Sequence, residues 1–198
     1  MWFPASYDFR CSLIYHTKVT DVVHANGSYI YLQLWALGRT ADPAVLKQEG
    51  GFDLVAPSPI PLGNGGEGEQ VVPRELTVAE LREYVQLYSK AASNAVEAGF
   101  DGVEIHAANG YLLDQFLQTV SNERTDEYGG SIDNRLRFPM EVINAVVEAI
   151  GAERTALRIS PWSKFQGELY CSRVFRASNA QHRRHGHEGS APYFHHLD

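Results

Sequence analysis

Residues 77–106 read TVAELREYVQLYSKAASNAVEAGFDGVEIH, a helical pattern followed at once by a strand pattern. Thr77 and Glu80 have the spacing of a capping box, in which each side chain satisfies a backbone N–H of the first turn. Val78, Leu81, Val85, Tyr88, Ala92, Ala95 and Val96 recur on one helical face. Gly99 stands where a glycine ends a helix in the left-handed conformation. The spacing predicts a helix over 77–98 and a short apolar strand, GVEIH, over 102–106.

The pattern repeats outward in both directions. Upstream, Thr17 to Ala25 reads as the last turns of a helix stopped by Asn26-Gly27, and SYIYLQL (28–34) as a buried strand. Gly38, Asp42-Pro43 and Gly50-Gly51 mark a loop, 52–56 a short strand, and 57–73 a long Pro- and Gly-rich surface loop. Downstream, 111–117 is a short helical piece and 121–131 a polar loop. Residues 134–150 form an amphipathic helix in which Pro139 either kinks the chain or marks the first turn. Gly151 ends that helix, and TALRIS (155–160) is a strand stopped by Pro161. Strand, helix, strand, helix, strand at these lengths predicts right-handed crossovers and a parallel sheet. The architecture is then an open doubly wound sheet or a (β/α)8 barrel. No Gly-x-Gly-x-x-Gly opens any of these helices, which weighs against the dinucleotide fold. Residues 1–17 carry no clear period.

With 198 residues, the chain has the size of one domain or slightly more. A formal charge of -7 argues against nucleic acid or an anionic membrane surface as partner. No apolar run is long enough to cross a bilayer, and the N-terminus lacks the pattern of a secretory signal. Cys11 and Cys171 lie far apart in unpatterned segments, so neither a disulfide framework nor a zinc site is expected, and the expected compartment is the cytoplasm.

The residues that bear chemistry cluster at strand ends. Gln33, His106 and Arg158 each sit near the C-terminal end of a strand, where both candidate architectures carry ligands, so the three are expected to converge. If the chain turns into a helix after His106, then His106 and Asn109 share a pocket and can donate to one oxygen, as an oxyanion site does. Tyr111 can supply a proton there. Each also has an ordinary reading: a hydrogen-bonding histidine at a strand end and a tyrosine packed in the core. Gln33 needs a partner for an amide inside an apolar strand, either backbone or ligand. Arg158 is costly in a buried strand unless a negative ligand, an electron-rich ring edge or a carboxylate pairs it. Glu123, Arg124, Asp126 and Glu127 read as a solvated or self-paired loop, and Gly129-Gly130 as a tight turn.

Residues 106–142, HAANGYLLDQFLQTVSNERTDEYGGSIDNRLRFPMEV, closely resemble the signature of the Old Yellow Enzyme family of flavin-dependent ene-reductases. SYIYLQLWALGR (28–39) and LRISPWSKF (157–165) resemble its third and fifth barrel strands. The resemblance covers residues 18–166 and implies an α/β fold, a partial (β/α)8 TIM barrel of about strands three to five. It also implies FMN as cofactor, NAD(P)H as hydride donor and an α,β-unsaturated carbonyl compound as the small-molecule acceptor. By position, it assigns Gln33 and Arg158 to the flavin ring, His106 and Asn109 to the substrate carbonyl oxygen, and Tyr111 to protonation of the α-carbon.

Segments 1–17 and 167–198 do not match. A barrel of this kind takes about 250 residues, and the sequence offers no counterpart of strands one, two, six, seven and eight, or of the loops that bind the FMN phosphate. The tail holds His182, His185, His187, His195 and His196 without a ligand spacing, and is expected to be disordered and to bind no metal. Two expectations follow: an FMN-dependent ene-reductase, or a truncated, non-catalytic remnant that does not bind FMN by itself. The sequence leaves oligomeric state open.

Overall fold

The computed structural model describes residues 9–63, 71–167 and 194–195. The expectations for 1–8 and for most of the 167–198 tail, its histidine side chains included, lie outside the described residues. In chain order the elements are α1 (Phe9–Ala25), β1 (Tyr31–Leu34), α2 (Pro43–Gln48), β2 (Val55–Ala56), β3 (Arg74–Glu75) and α3 (Val78–Glu97). Then come β4 (Gly102–Ala107), α4 (Leu112–Leu117), α5 (Ile132–Ile150), β5 (Thr155–Ile159) and β6 (Phe194–His195).

The main sheet has the order β1-β4-β5-β6, every pair parallel, while β2 and β3 form a small parallel pair of their own. Gln33 pairs with Glu104, and His106 with Arg158. Successive strand residues point to opposite faces. Leu34, Val103, Ile105 and Leu157 therefore turn toward the helices and join the core, where Phe116 and Phe138 meet with ring centroids 4.7 Å apart. Gln33, Glu104, His106 and Arg158 share the opposite face. Among the described residues the sheet is open, and no helix is long and apolar enough to cross a membrane.

The most local signals set the helix ends. Both halves of the Thr77–Glu80 capping box are made, and Arg74 holds Glu80 as well, with that ion pair keeping the Glu80 carboxyl well below the usual range. Gly99, with φ +90°, ends α3 against α1, and a Cβ there would stand 2.7 Å from Thr20 Oγ1. That hydroxyl donates to Ala98 O at 2.8 Å, clamping the two helices. Asp101 accepts from Ile30 N and pairs with His24, joining α1 to the starts of β1 and β4.

Several local readings need correction. Asp42-Pro43 is a helix start, not a breaker: Asp42 caps α2 by accepting Ala44 N, with Pro43 in the first turn. Pro139 lies inside α5, which begins at Ile132 behind the Ser131 cap. The helix expected from Thr17 extends back to Phe9. The 121–131 loop is not simply solvated. The Arg124 side chain is 2% exposed and donates to Pro57 O and Leu76 O. It also pairs with Asp126, which is the self-pairing the loop was expected to make. It pins the start of the 57–73 segment, where Pro57 and Ser58 are buried, so that part is no surface loop.

Candidate functional site at the C-terminal end of the sheet

Strand β4 ends in a tight turn. Asn109 has φ 57° and Gly110 φ 75°, two left-handed residues in succession. Asparagine tolerates such a φ better than other non-glycine residues, and outside support fixes the turn. Three side chains supply it. Ser160, just past β5, accepts Asn109 N at 2.7 Å; Asp114 accepts Gly110 N at 2.9 Å; and Gln115 Nε2 donates to Gly110 O at 2.7 Å. Gln115 also reaches Leu37 O and Arg39 N, so it ties the turn to the segment after β1. Gly38 makes room for it, since a Cβ at 38 would stand 2.2 Å from Gln115 Oε1.

His106 is buried on β4 beside this turn. Its Nδ1 accepts Ala108 N at 3.3 Å. A neutral imidazole that accepts at Nδ1 carries its proton on Nε2. Burial first, and the positive charge of Arg158 second, hold its pKa below the ordinary value, so the neutral donor form prevails near neutral pH. Tyr111 is the cap residue of α4 rather than its first helical residue. Its ring meets His106 edge-on at 5.1 Å between centroids, and Trp35 closes the cluster at 4.9 Å from Tyr111 and 6.2 Å from His106. His106 Nε2, the Asn109 side-chain amide and the Tyr111 hydroxyl make no hydrogen bond among the described residues.

Gln33 and Arg158 meet on Glu104. Gln33 Nε2 donates to Glu104 Oε1 at 2.5 Å, and Arg158 Nε donates to the same oxygen at 2.8 Å. Gln33, expected to be buried, is exposed, whereas His106 on the same face is buried beside Trp35 and Tyr111. Arg158 is half-buried and has found a carboxylate, one of the partners its position allowed. Sequence reasoning missed Glu104. The signal was present: a carboxylate inside the apolar strand GVEIH, two residues before His106 and so on its face. It also missed Asp114, Gln115 and Ser160, which shape the turn, and Trp35, which packs on Tyr111 and His106. Among the described residues no group of three or more His, Cys, Asp and Glu is placed to hold a metal ion.

Residues 12–187 match the family model described as the NADH:flavin oxidoreductase / NADH oxidase family, a wider span than the 18–166 read from the sequence. The chain is 57% identical over 150 residues to chanoclavine-I aldehyde reductase fgaOx3 of Penicillium roqueforti, a match covering 76% of this chain and 40% of that protein. It is 51% identical over 151 residues to a protein of Epichloe festucae var. lolii named probable inactive reductase easA, covering 76% of this chain and 38% of the other. Among solved structures, Old Yellow Enzyme from Pichia sp. AKU4542 superposes with a TM-score of 0.84 at 38% identity, covering 94% of this chain and 51% of that one. The chain thus spans about 40% of the length of the curated relatives it matches. It belongs to the NADH:flavin oxidoreductase / NADH oxidase family, FMN-dependent oxidoreductases that draw hydride from NAD(P)H, and its sheet is part of their (β/α)8 barrel.

Proposed function

We propose that this chain forms the substrate side and part of the flavin-ring side of a cytoplasmic ene-reductase, which reduces the C=C bond of α,β-unsaturated carbonyl compounds with NAD(P)H. The observation that carries the proposal is a set of polar groups at the end of β4 with no partner among the described residues: His106 Nε2, the Asn109 side-chain amide and the Tyr111 hydroxyl. The relative named as an aldehyde reductase supports a carbonyl compound as substrate.

The residues on the open face suit a flavin ring. Gln33 Oε1 and the two terminal nitrogens of Arg158 are unengaged among the described residues, an acceptor and donors that complement the N–H and C=O groups of a flavin edge. Bound flavin supplies the hydride to the substrate's β-carbon. His106 and Asn109 donate to the carbonyl oxygen and draw electron density toward it, which makes the β-carbon electrophilic. Tyr111 gives its phenolic proton to the α-carbon, so that hydride and proton together saturate the double bond. Arg158 favours negative charge at the ring edge it faces.

The test is phenol binding in the presence of FMN. A phenolate held by His106 and Asn109 beside oxidised flavin gives a long-wavelength charge-transfer band. Replacing both residues by Ala weakens phenol binding by about 1.5–3 kcal/mol per lost hydrogen bond to a charged oxygen. Unchanged binding in the double variant overturns the oxyanion role. A second reading, a chain that is non-catalytic and does not hold FMN unaided, is favoured by the exposure of Gln33 on the open sheet. The visible spectrum of the purified chain separates the two, because bound oxidised flavin is yellow.

A further inference from the structure

Glu104 lies on the central strand of the three that carry the site, with β1 on one side and β5 on the other. Its single oxygen Oε1 takes hydrogen bonds from both neighbours, from Gln33 Nε2 at 2.5 Å and from Arg158 Nε at 2.8 Å. The Glu104 side chain is 14% exposed; its bond to Arg158 is part-buried, and its bond to Gln33 lies at the exposed edge of the face. An ionised carboxylate only accepts. Gln33 must therefore turn its NH2 group to Glu104, which leaves its carbonyl oxygen as the atom offered elsewhere. Arg158 must spend Nε, the inner nitrogen of its fork, and retains both terminal nitrogens.

We infer that Glu104 is a positioning residue for the flavin-ring edge, fixing which atoms Gln33 and Arg158 present to the ring. The inference rests on the flavin reading above. It assigns Glu104 no contact with the substrate and no part in proton transfer. Without the bridge, the exposed Gln33 amide is free to rotate, and its donor and acceptor ends exchange places.

The experiment is side-chain NMR of the full chain, as the wild type, Glu104→Gln and Glu104→Asp, with and without millimolar FMN. In the wild type, one Gln33 Nε2–H signal is expected downfield of a free glutamine amide, and FMN is expected to shift the Gln33 amide and the Arg158 Nε–H together. Glu104→Gln removes the obligate acceptor, and Glu104→Asp withdraws it by one methylene while keeping the charge. In either variant the Gln33 amide is expected to return to free-glutamine positions and to stop responding to FMN, while backbone dispersion is retained. Should Glu104→Gln fail to fold, Glu104→Asp alone decides. A folded variant whose Gln33 amide keeps its wild-type shifts and FMN response overturns the inference. Absence of any FMN-induced shift in the wild type overturns the flavin reading instead, and the two failures are told apart because the Gln33 amide then still moves on substitution.

Discussion

The Ser160 hydroxyl, one residue past β5, accepts the backbone N–H of Asn109 at 2.7 Å. This bond crosses from one strand end to the next and supports a residue in the left-handed region, with φ 57°, which asparagine tolerates better than other non-glycine residues. The position of the Asn109 side chain is thus set by a neighbouring strand. Ser160→Ala is expected to lower stability by about 0.5–1.5 kcal/mol, measured by urea unfolding, and to weaken phenol binding without altering the fold. A variant as stable as the parent with unchanged phenol affinity shows that the turn holds itself.

Asp114 supports the same turn from below and carries a pH dependence. It accepts Gly110 N and Gln118 Nε2, and burial raises its carboxyl from the ordinary 3.8 to about 6. The folded state therefore holds this proton more tightly than the unfolded chain. The associated stability is fully present below the ordinary value and is lost as pH rises through about 6. Asp114→Asn keeps an acceptor for Gly110 N and cannot titrate. Across that window the stability of the parent should fall relative to the variant, by on the order of 2–3 kcal/mol in total. Unfolding curves between pH 4 and 8 decide it, and parallel pH profiles would reject the buried titration.

Arg124 tests the packing of the signature loop. Its buried guanidinium serves Pro57 O, Leu76 O and Asp126 at once. Arg124→Met fills similar space but leaves two carbonyls and a carboxylate without their donor. The expected loss is about 3 kcal/mol, read as a lowered urea midpoint. A midpoint unchanged from the parent would mean that water replaces the guanidinium freely.

What the sequence disclosed follows the range of each interaction. The Thr77–Glu80 box closes over three residues, and the His106-to-Tyr111 cluster over five, so both are readable from spacing. Asp42-Pro43 is equally local: the two residues read as a breaker are a cap and a first-turn proline, and the breaker reading overlooked that. Glu104 finds Gln33 71 residues away and Arg158 54 residues away. Arg124 reaches 67 residues to Pro57. No local pattern encodes such pairings, although a lone charge in an apolar strand signals that a partner must exist. The exposure of Gln33 was not legible at all, because it depends on what lies over the sheet and not on the strand that carries it.

Tyr111 is testable where both half-reactions can be followed, in a chimera joining residues 18–166 to the remaining strands of a relative. Tyr111→Phe is expected to slow reoxidation by an enone and to leave reduction by NAD(P)H nearly unchanged, because proton delivery to the α-carbon belongs to the second half-reaction alone. Stopped-flow absorbance of each half-reaction measures this. Equal slowing of both would assign the proton to another group.

The 198-residue chain by itself should bind FMN weakly. Its sheet is part of the barrel, and on the function proposed above Gln33 and Arg158 are the groups it offers to the ring edge. In a (β/α)8 barrel the cofactor phosphate is held by the loops after the seventh and eighth strands and by a helix N-terminus. Two or three ring hydrogen bonds, each worth roughly 0.5–1.5 kcal/mol net, do not offset the entropy of fixing a flexible ribityl phosphate. The open face adds to the deficit, since Gln33 is exposed and water competes for the same donors and acceptors. Titration of the purified chain by quenching of FMN fluorescence should therefore show no saturation at low micromolar FMN. Stoichiometric binding in that range would mean that segments beyond β1, β4 and β5 complete the flavin site.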